Sequence, residues 1–126
     1  MPEATFDWRS ARLRRHADYQ RVYRESRRYS SASMSYFYRV RGEDEAAGAT
    51  ARVGLTTGRV LGKAVDRNRI RRRMREAVRV HVKDLPAGVD VVLHPRRTVL
   101  EMEYTRLESE VGRVFATVSA GAEVKR

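Results

Sequence analysis

The stretch from Gly58 to Glu76 holds Arg59, Lys63, Arg67, Arg69, Arg71, Arg72, Arg73 and Arg75 on a segment that keeps a helical apolar rhythm. At about 100° per residue, Ile70, Met74, Ala77, Val78 and His81 share one side of a helix. Asn68, Arg72, Arg75 and Arg79 share the other, with Arg69 and Arg71 on the flanks. This is the pattern of one helix with a buried stripe and a guanidinium face. Arginine offers a planar fork of donors that matches phosphate oxygens and stacks on bases, whereas lysine would serve solubility equally well. Only Asp66 and Glu76 are available to neutralise the run, too few for a self-paired solvated surface. A one-sided basic stripe of this kind predicts a polyanionic partner.

Two kinds of residue could add chemistry to that stripe. Tyr19 and Tyr23 lie one turn apart on a short helix expected from His16 to Ser26, and Phe37 lies in an alternating segment from Arg27 to Arg41. Aromatic rings beside a basic surface stack unpaired bases, although core packing produces the same spacing. The other kind is hydrolytic. His16, His81 and His94 are not spaced to bracket one phosphate as acid and base. The carboxylates gather in the 43–45 loop and along the last helix, where Glu101, Glu103, Glu108 and Glu110 read as solubilising residues rather than ligands for two metals. With no cysteine there is neither a thiolate zinc site nor a disulfide. No catalytic residue and no protein metal ligand is therefore expected.

The elements that must position these side chains follow from period and punctuation. Met34, Tyr36, Tyr38 and Val40 alternate with Ser35, Phe37 and Arg39 on a strand, and Ala51 to Gly58 reads as another. The basic helix is expected to start between Lys63 and Arg67, with Asp66 a candidate N-cap, and to close before Pro86 and Gly88. Val89 to His94 is a continuous apolar run suited to a buried strand. Glu103 to Ser119 is a helix with Tyr104, Leu107, Val111, Val114, Phe115 and Val118 inward. Residues 1–15 read as a loose arm, in which Trp8 is a candidate anchor, and 120–126 as a frayed tail, leaving 16–119 as one domain. A chain of 126 residues supports one modest core, and its net charge of +11 calls for RNA, DNA or an anionic membrane. No apolar run approaches spanning length, and the start lacks a secretory pattern, so a cytoplasmic protein is expected.

The same residues carry a resemblance. Gly62-Lys63-Ala64-Val65-Asp66-Arg67-Asn68-Arg69-Ile70-Arg71-Arg72 resembles the signature of the bacterial ribonuclease P protein subunit. Arg52-Val53-Gly54-Leu55 resembles the strand before that motif, and Asp18-Tyr19-Gln20-Arg21-Val22-Tyr23 the family's first helix. Asp90-Val91-Val92-Leu93, followed by Arg96-Arg97 and Tyr104, resembles its last strand and the entry to its last helix. Order and spacing agree from about Leu13 to Val118. The chain departs from the pattern with Tyr for Phe at 19 and 23, Val60 in place of a second Lys, and Lys63 in place of Asn.

The resemblance implies an α/β sandwich of the ribosomal-S5-like type, with a four-stranded sheet, three helices and a left-handed βαβ crossover through the basic helix. A strand–helix–strand unit judged by itself would be expected to be right-handed. It implies a protein that assists endonucleolytic removal of the 5′ leader from precursor tRNA, while the catalytic RNA subunit, one per protein, does the chemistry with Mg2+ held mainly by RNA and substrate phosphates. Under it, Arg59, Lys63, Arg67, Asn68, Arg69, Arg71, Arg72 and Arg75 bind RNA, and Tyr19, Tyr23 and Phe37 line the leader cleft. The rival reading is a non-catalytic RNA-binding protein of the ribosome, with similar charge and no role in processing.

Overall fold

The computed structural model describes residues 11–42 and 50–125. Three helices, α1 (His16–Glu25), α2 (Ala64–His81) and α3 (Tyr104–Lys125), pack on four strands, β1 (Tyr29–Ser30), β2 (Met34–Val40), β3 (Arg52–Leu55) and β4 (Val89–Pro95). The sheet order is β1-β2-β4-β3. β2 runs antiparallel to β4, whereas β3 and β4 are parallel neighbours joined through α2, the expected βαβ unit. No helix among the described residues is long and apolar enough to cross a membrane.

Alternation gives the sheet two different faces. Met34, Tyr36 and Tyr38 on β2, Val53 on β3, and Val91 and Leu93 on β4 point to one side. There they meet Ile70, Met74 and Val78 of α2 and Leu107, Phe115 and Val118 of α3 in the main core. The apolar stripe read from the sequence of α2 is thus the stripe that is buried. The other face carries Phe37, Val92 and Gly54, and α1 covers it with Val22, aided by Leu13, in a smaller core. That second cover is why β4 carries apolar residues toward both faces, at Val91, Val92 and Leu93.

Several boundaries differ from the sequence reading. Ala11 and Leu13 are buried, Arg12 bridges to Val53, and the Leu13 N–H donates to the Val53 carbonyl at 3.0 Å. Residues 11–15 therefore dock on the β3 edge, which protects an otherwise open row of backbone groups. The rest of the expected arm, with Trp8, lies outside the described residues, as does the acidic 43–45 loop. At the other end α3 continues to Lys125, because Ala122 still packs in the core. Glu110 is not a solubilising residue. It is 3% exposed and accepts the Ser33 N–H at 2.7 Å and the Ser31 hydroxyl, fixing the β1–β2 turn to α3.

Buried charge closes one end of the α1-facing side. Asp90, fully buried on β4, takes two hydrogen bonds of 2.8 Å from Arg52 and one from Arg41. Arg39 lies 4.0 Å away and pairs with Glu25 at 3.0 Å, while Arg52 also meets Asp18 at 3.4 Å. Asp18 and Glu25 thus tie one flank of α1 to this network. Its other flank carries Tyr19 and Tyr23.

Candidate nucleic-acid interface

The basic helix is aimed by what precedes it. A short 3-10 turn, Arg59–Leu61, ends at Gly62, whose φ of 110° lies in the left-handed region open chiefly to glycine. A side chain there would also meet Arg97, which donates to the Leu61 carbonyl at 2.6 Å and to Asp66 at 3.3 Å. Lys63 is the N-cap, and its side chain makes no capping bond. Asp66, the expected cap, instead sits at the third helical position, where its charge suits the helix dipole and pairs with Arg97.

The guanidiniums of α2 then divide by role. Arg69, Arg72 and Arg75 are exposed with Asn68, and Arg59 and Lys63 are exposed ahead of the helix. Arg67 is half-buried, and its Nε is shielded with no hydrogen-bond partner among the described residues. Arg73 turns the opposite way: it donates to the carbonyls of Val99, at 3.0 Å, and Met102, holding the segment before α3. The two acidic groups of the helix are engaged, Asp66 with Arg97 and Glu76 with Arg79 at 2.5 Å. Arg75 is lowered from its ordinary pKa, first by desolvation and then by repulsion from Arg12 and Arg71. Cations held this close together are stabilised by an anion placed among them.

Arg71 joins this face to the aromatic one. It donates to Asn68 Oδ1 at 2.8 Å and to Thr57 Oγ1 at 2.6 Å, just beyond β3. The neighbouring Thr56 Oγ1 lies 3.5 Å from the Tyr23 hydroxyl. Tyr23 stands edge-on to Phe37, ring centroids 5.0 Å apart at 83°. The structure therefore brings Tyr23 and Phe37 together as half-buried rings at the open end of the sheet face, beside the helix. Tyr19 is placed differently. Its hydroxyl donates to the Leu13 carbonyl at 3.2 Å, and its ring lies over Gly54, where an added Cβ would come within 2.7 Å of the ring carbons. Burial, and then Tyr23, raises the Tyr19 pKa. Tyr19 thus fills the root of the cleft and Tyr23 its mouth.

Sequence reasoning missed His94, whose Nε2 lies 2.8 Å from the Tyr23 hydroxyl. The signal was present: alternation puts Asp90, Val92 and His94 on one face of β4, and the register sets His94 opposite Ser35 and Val92 opposite Phe37. Ser35 in turn accepts from Arg28 at 3.2 Å and from Arg96 at 3.4 Å, extending the basic rim past the rings. The other histidines lie elsewhere. His16 contacts Gln20 at the start of α1, and His81 sits between Asp84 and Glu108 where α2 meets α3. Among the described residues, no three carboxylate, imidazole or thiol groups converge as metal ligands.

A basic ridge continuous with a ring-lined cleft is the arrangement expected for single-stranded nucleic acid. The Ribonuclease P family model matches residues 8–119. The ribonuclease P protein component of Chloroflexus aggregans is 39% identical over 108 residues, covering 85% of this chain and 76% of that protein. That of Symbiobacterium thermophilum is 38% identical over 104 residues, covering 82% and 87%. The fold is similar to that of the RNase P protein of Staphylococcus aureus, with a TM-score of 0.69 at 23% identity over 86% of this chain and 94% of that one. It is equally similar to that of Thermotoga maritima, with a TM-score of 0.69 at 23% identity over 82% and 94%. The chain belongs to the ribonuclease P protein family, the protein component of an RNA-cleaving ribonucleoprotein that it forms with the ribonuclease P RNA.

Proposed function

We propose that this protein binds the single-stranded 5′ leader of precursor tRNA and leaves hydrolysis of the leader to its RNA partner. The observation that carries this reading is the junction at Thr56-Thr57, which sets the Tyr23–Phe37 cleft against the guanidinium face of α2. A duplex offers no free base faces for such rings, whereas an unpaired strand offers one per nucleotide. Tyr23 and Phe37 stack leader bases, with Tyr19 supporting them from behind. Arg59, Lys63, Arg67, Asn68, Arg69, Arg71, Arg72 and Arg75 meet phosphates of the leader and of the RNA subunit.

Asp90, Asp66 and Glu110 are committed to structural contacts, and among the described residues no three carboxylate, imidazole or thiol groups converge as metal ligands. Mg2+ belongs on the phosphates of the RNA subunit and substrate. The protein's part is to neutralise the junction of two polyanions, so that fewer free cations are needed to order it. One protein per RNA subunit, working in the cytoplasm, completes the proposal.

The test is a processing assay with the protein alone, the ribonuclease P RNA alone, and both. The mixture should give correct 5′ ends at lower magnesium than the RNA requires by itself. Specific cleavage by RNA-free protein would overturn the division of labour.

A further inference from the structure

The α1-facing side of the sheet changes character along β4. Asp90 is sealed among guanidiniums, Val92 is covered by Val22 and Leu13, and His94 lies at the open end beyond that apolar cover. Packing alone does not call for an imidazole there, since Val92 on the same face supplies the apolar floor. The ring of His94 is 5.6 Å from that of Tyr23 at 76° and 5.3 Å from that of Phe37 at 58°. With Tyr23 and Phe37 5.0 Å apart, the three rings are in mutual contact and form one half-buried aromatic patch at the open end of that face.

The charges beside this patch are cations. Arg28, following α1, and Arg96, following β4, converge on Ser35, and no carboxylate is bonded or ion-paired to His94 among the described residues. Burial, and then Arg28, lowers the His94 pKa below its ordinary 6.5, so the ring is neutral near pH 7. A phenol is a better donor than acceptor, so the Tyr23 O–H donates to Nε2 and the ring proton rests on Nδ1. Nδ1 has no hydrogen-bond partner among the described residues. One nitrogen is therefore committed to orienting an aromatic wall, and the other carries an unused donor at the mouth of a basic cleft.

We propose that His94 contacts the leader directly: Tyr23, Phe37 and His94 form a three-ring platform on which one unpaired base lies, and the His94 Nδ1–H donates to an oxygen of that nucleotide. This rests on the cleft being the leader site. The acceptor is a base carbonyl or a backbone phosphate oxygen, either of which the ring platform and its Arg28–Arg96 rim would favour.

The test uses the holoenzyme reconstituted with ribonuclease P RNA, carrying wild-type protein, His94→Phe or His94→Gln, and measures affinity for precursor and mature tRNA. Phe keeps the ring and removes the donor, while Gln keeps a donor. His94→Phe should reduce the precursor-over-mature preference by about two- to tenfold, the worth of one net hydrogen bond, with mature tRNA bound as before. His94→Gln should recover part of the loss, and melting temperatures of both variants separate this from unfolding. An abasic leader divides the two acceptors: dependence on His94 that disappears assigns the contact to the base, and dependence that persists assigns it to phosphate. A His94→Phe enzyme that prefers precursor as strongly as wild type overturns the contact while leaving the leader cleft intact. A wild-type enzyme with no preference for precursor overturns the cleft itself.

Discussion

Arg71 donates to Thr57 Oγ1 at 2.6 Å, and through this bond the guanidinium face of α2 is fixed against the strand end that borders the aromatic cleft. The second bond, to Asn68, leaves little freedom in the fork. This bond links the two surfaces, and on the proposed reading a strand lying in the cleft passes the arginines of α2. Charge and stacking contributions should consequently be separable by mutation without loss of the fold.

The charge contribution is read from salt dependence. Binding a single strand releases counterions, so log K falls with log salt with a slope of about −0.7 for each phosphate neutralised. Arg72 and Arg75 are exposed, and neither belongs to the buried core. Replacing both with Ala should flatten the slope for leader RNA by about one unit or more and leave the melting temperature nearly unchanged. Titrations at several salt concentrations decide this, and an unchanged slope would move the RNA surface off this face of α2.

Asp90→Asn should damage the fold and spare the preference for leader-bearing RNA. The carboxylate is fully buried and binds Arg41 and Arg52 directly. Removing its charge takes the buried counter-ion from Arg41 and leaves Arg52 with Asp18 alone, and breaking a buried pair costs about 3–5 kcal/mol. Thermal unfolding should show a large drop in melting temperature. Below the transition, precursor and mature tRNA should be distinguished as by wild type, because the network lies at the closed end of the sheet face.

His94 gives a pH dependence with a definite sign. Its folded pKa is below the ordinary 6.5, so the unfolded chain takes up the proton first as pH falls. The stability tied to the neutral ring is complete above about pH 6.5 and is lost as pH falls through 6.5 toward the folded value. His94→Phe should therefore show a shallower fall in melting temperature than wild type from about pH 7 to pH 5. Parallel profiles for the two proteins would mean that the ring is free to ionise in the fold.

What the sequence made legible was whatever repeats along one element. The stripe Ile70, Met74, Ala77 and Val78 defined both α2 and its buried side. The alternation in β2 separated Tyr36 and Tyr38 from Phe37 in the way the two cores require. What stayed hidden depends on partners distant in the chain. β4 is buried on both faces, so its apolar residues do not alternate, and only the neighbours of Asp90 and His94 reveal what each does on the face they share. Arg73 is indistinguishable by type from Arg72, yet it is the carbonyls of Val99 and Met102 that set its direction. Glu110 looks like its exposed neighbours until the β1–β2 turn is laid against α3. Tyr19 and Tyr23 have the same spacing and chemistry in sequence, but Gly54 and Leu13 draw one into packing while Thr56 and His94 draw the other to the rim.

The central claim is that the ring-lined cleft holds the leader, and Tyr23→Ala tests it most directly. Affinity for precursor and mature tRNA should be measured with the reconstituted holoenzyme, alongside the melting temperature of the free protein. Loss of a stacked base is worth about 1–3 kcal/mol. Precursor tRNA should lose that much affinity and mature tRNA almost none, with the protein still folded at the assay temperature. A Tyr23→Ala enzyme that separates the two RNAs as well as wild type does, whatever its melting temperature, would contradict the account and make Tyr23 a packing residue.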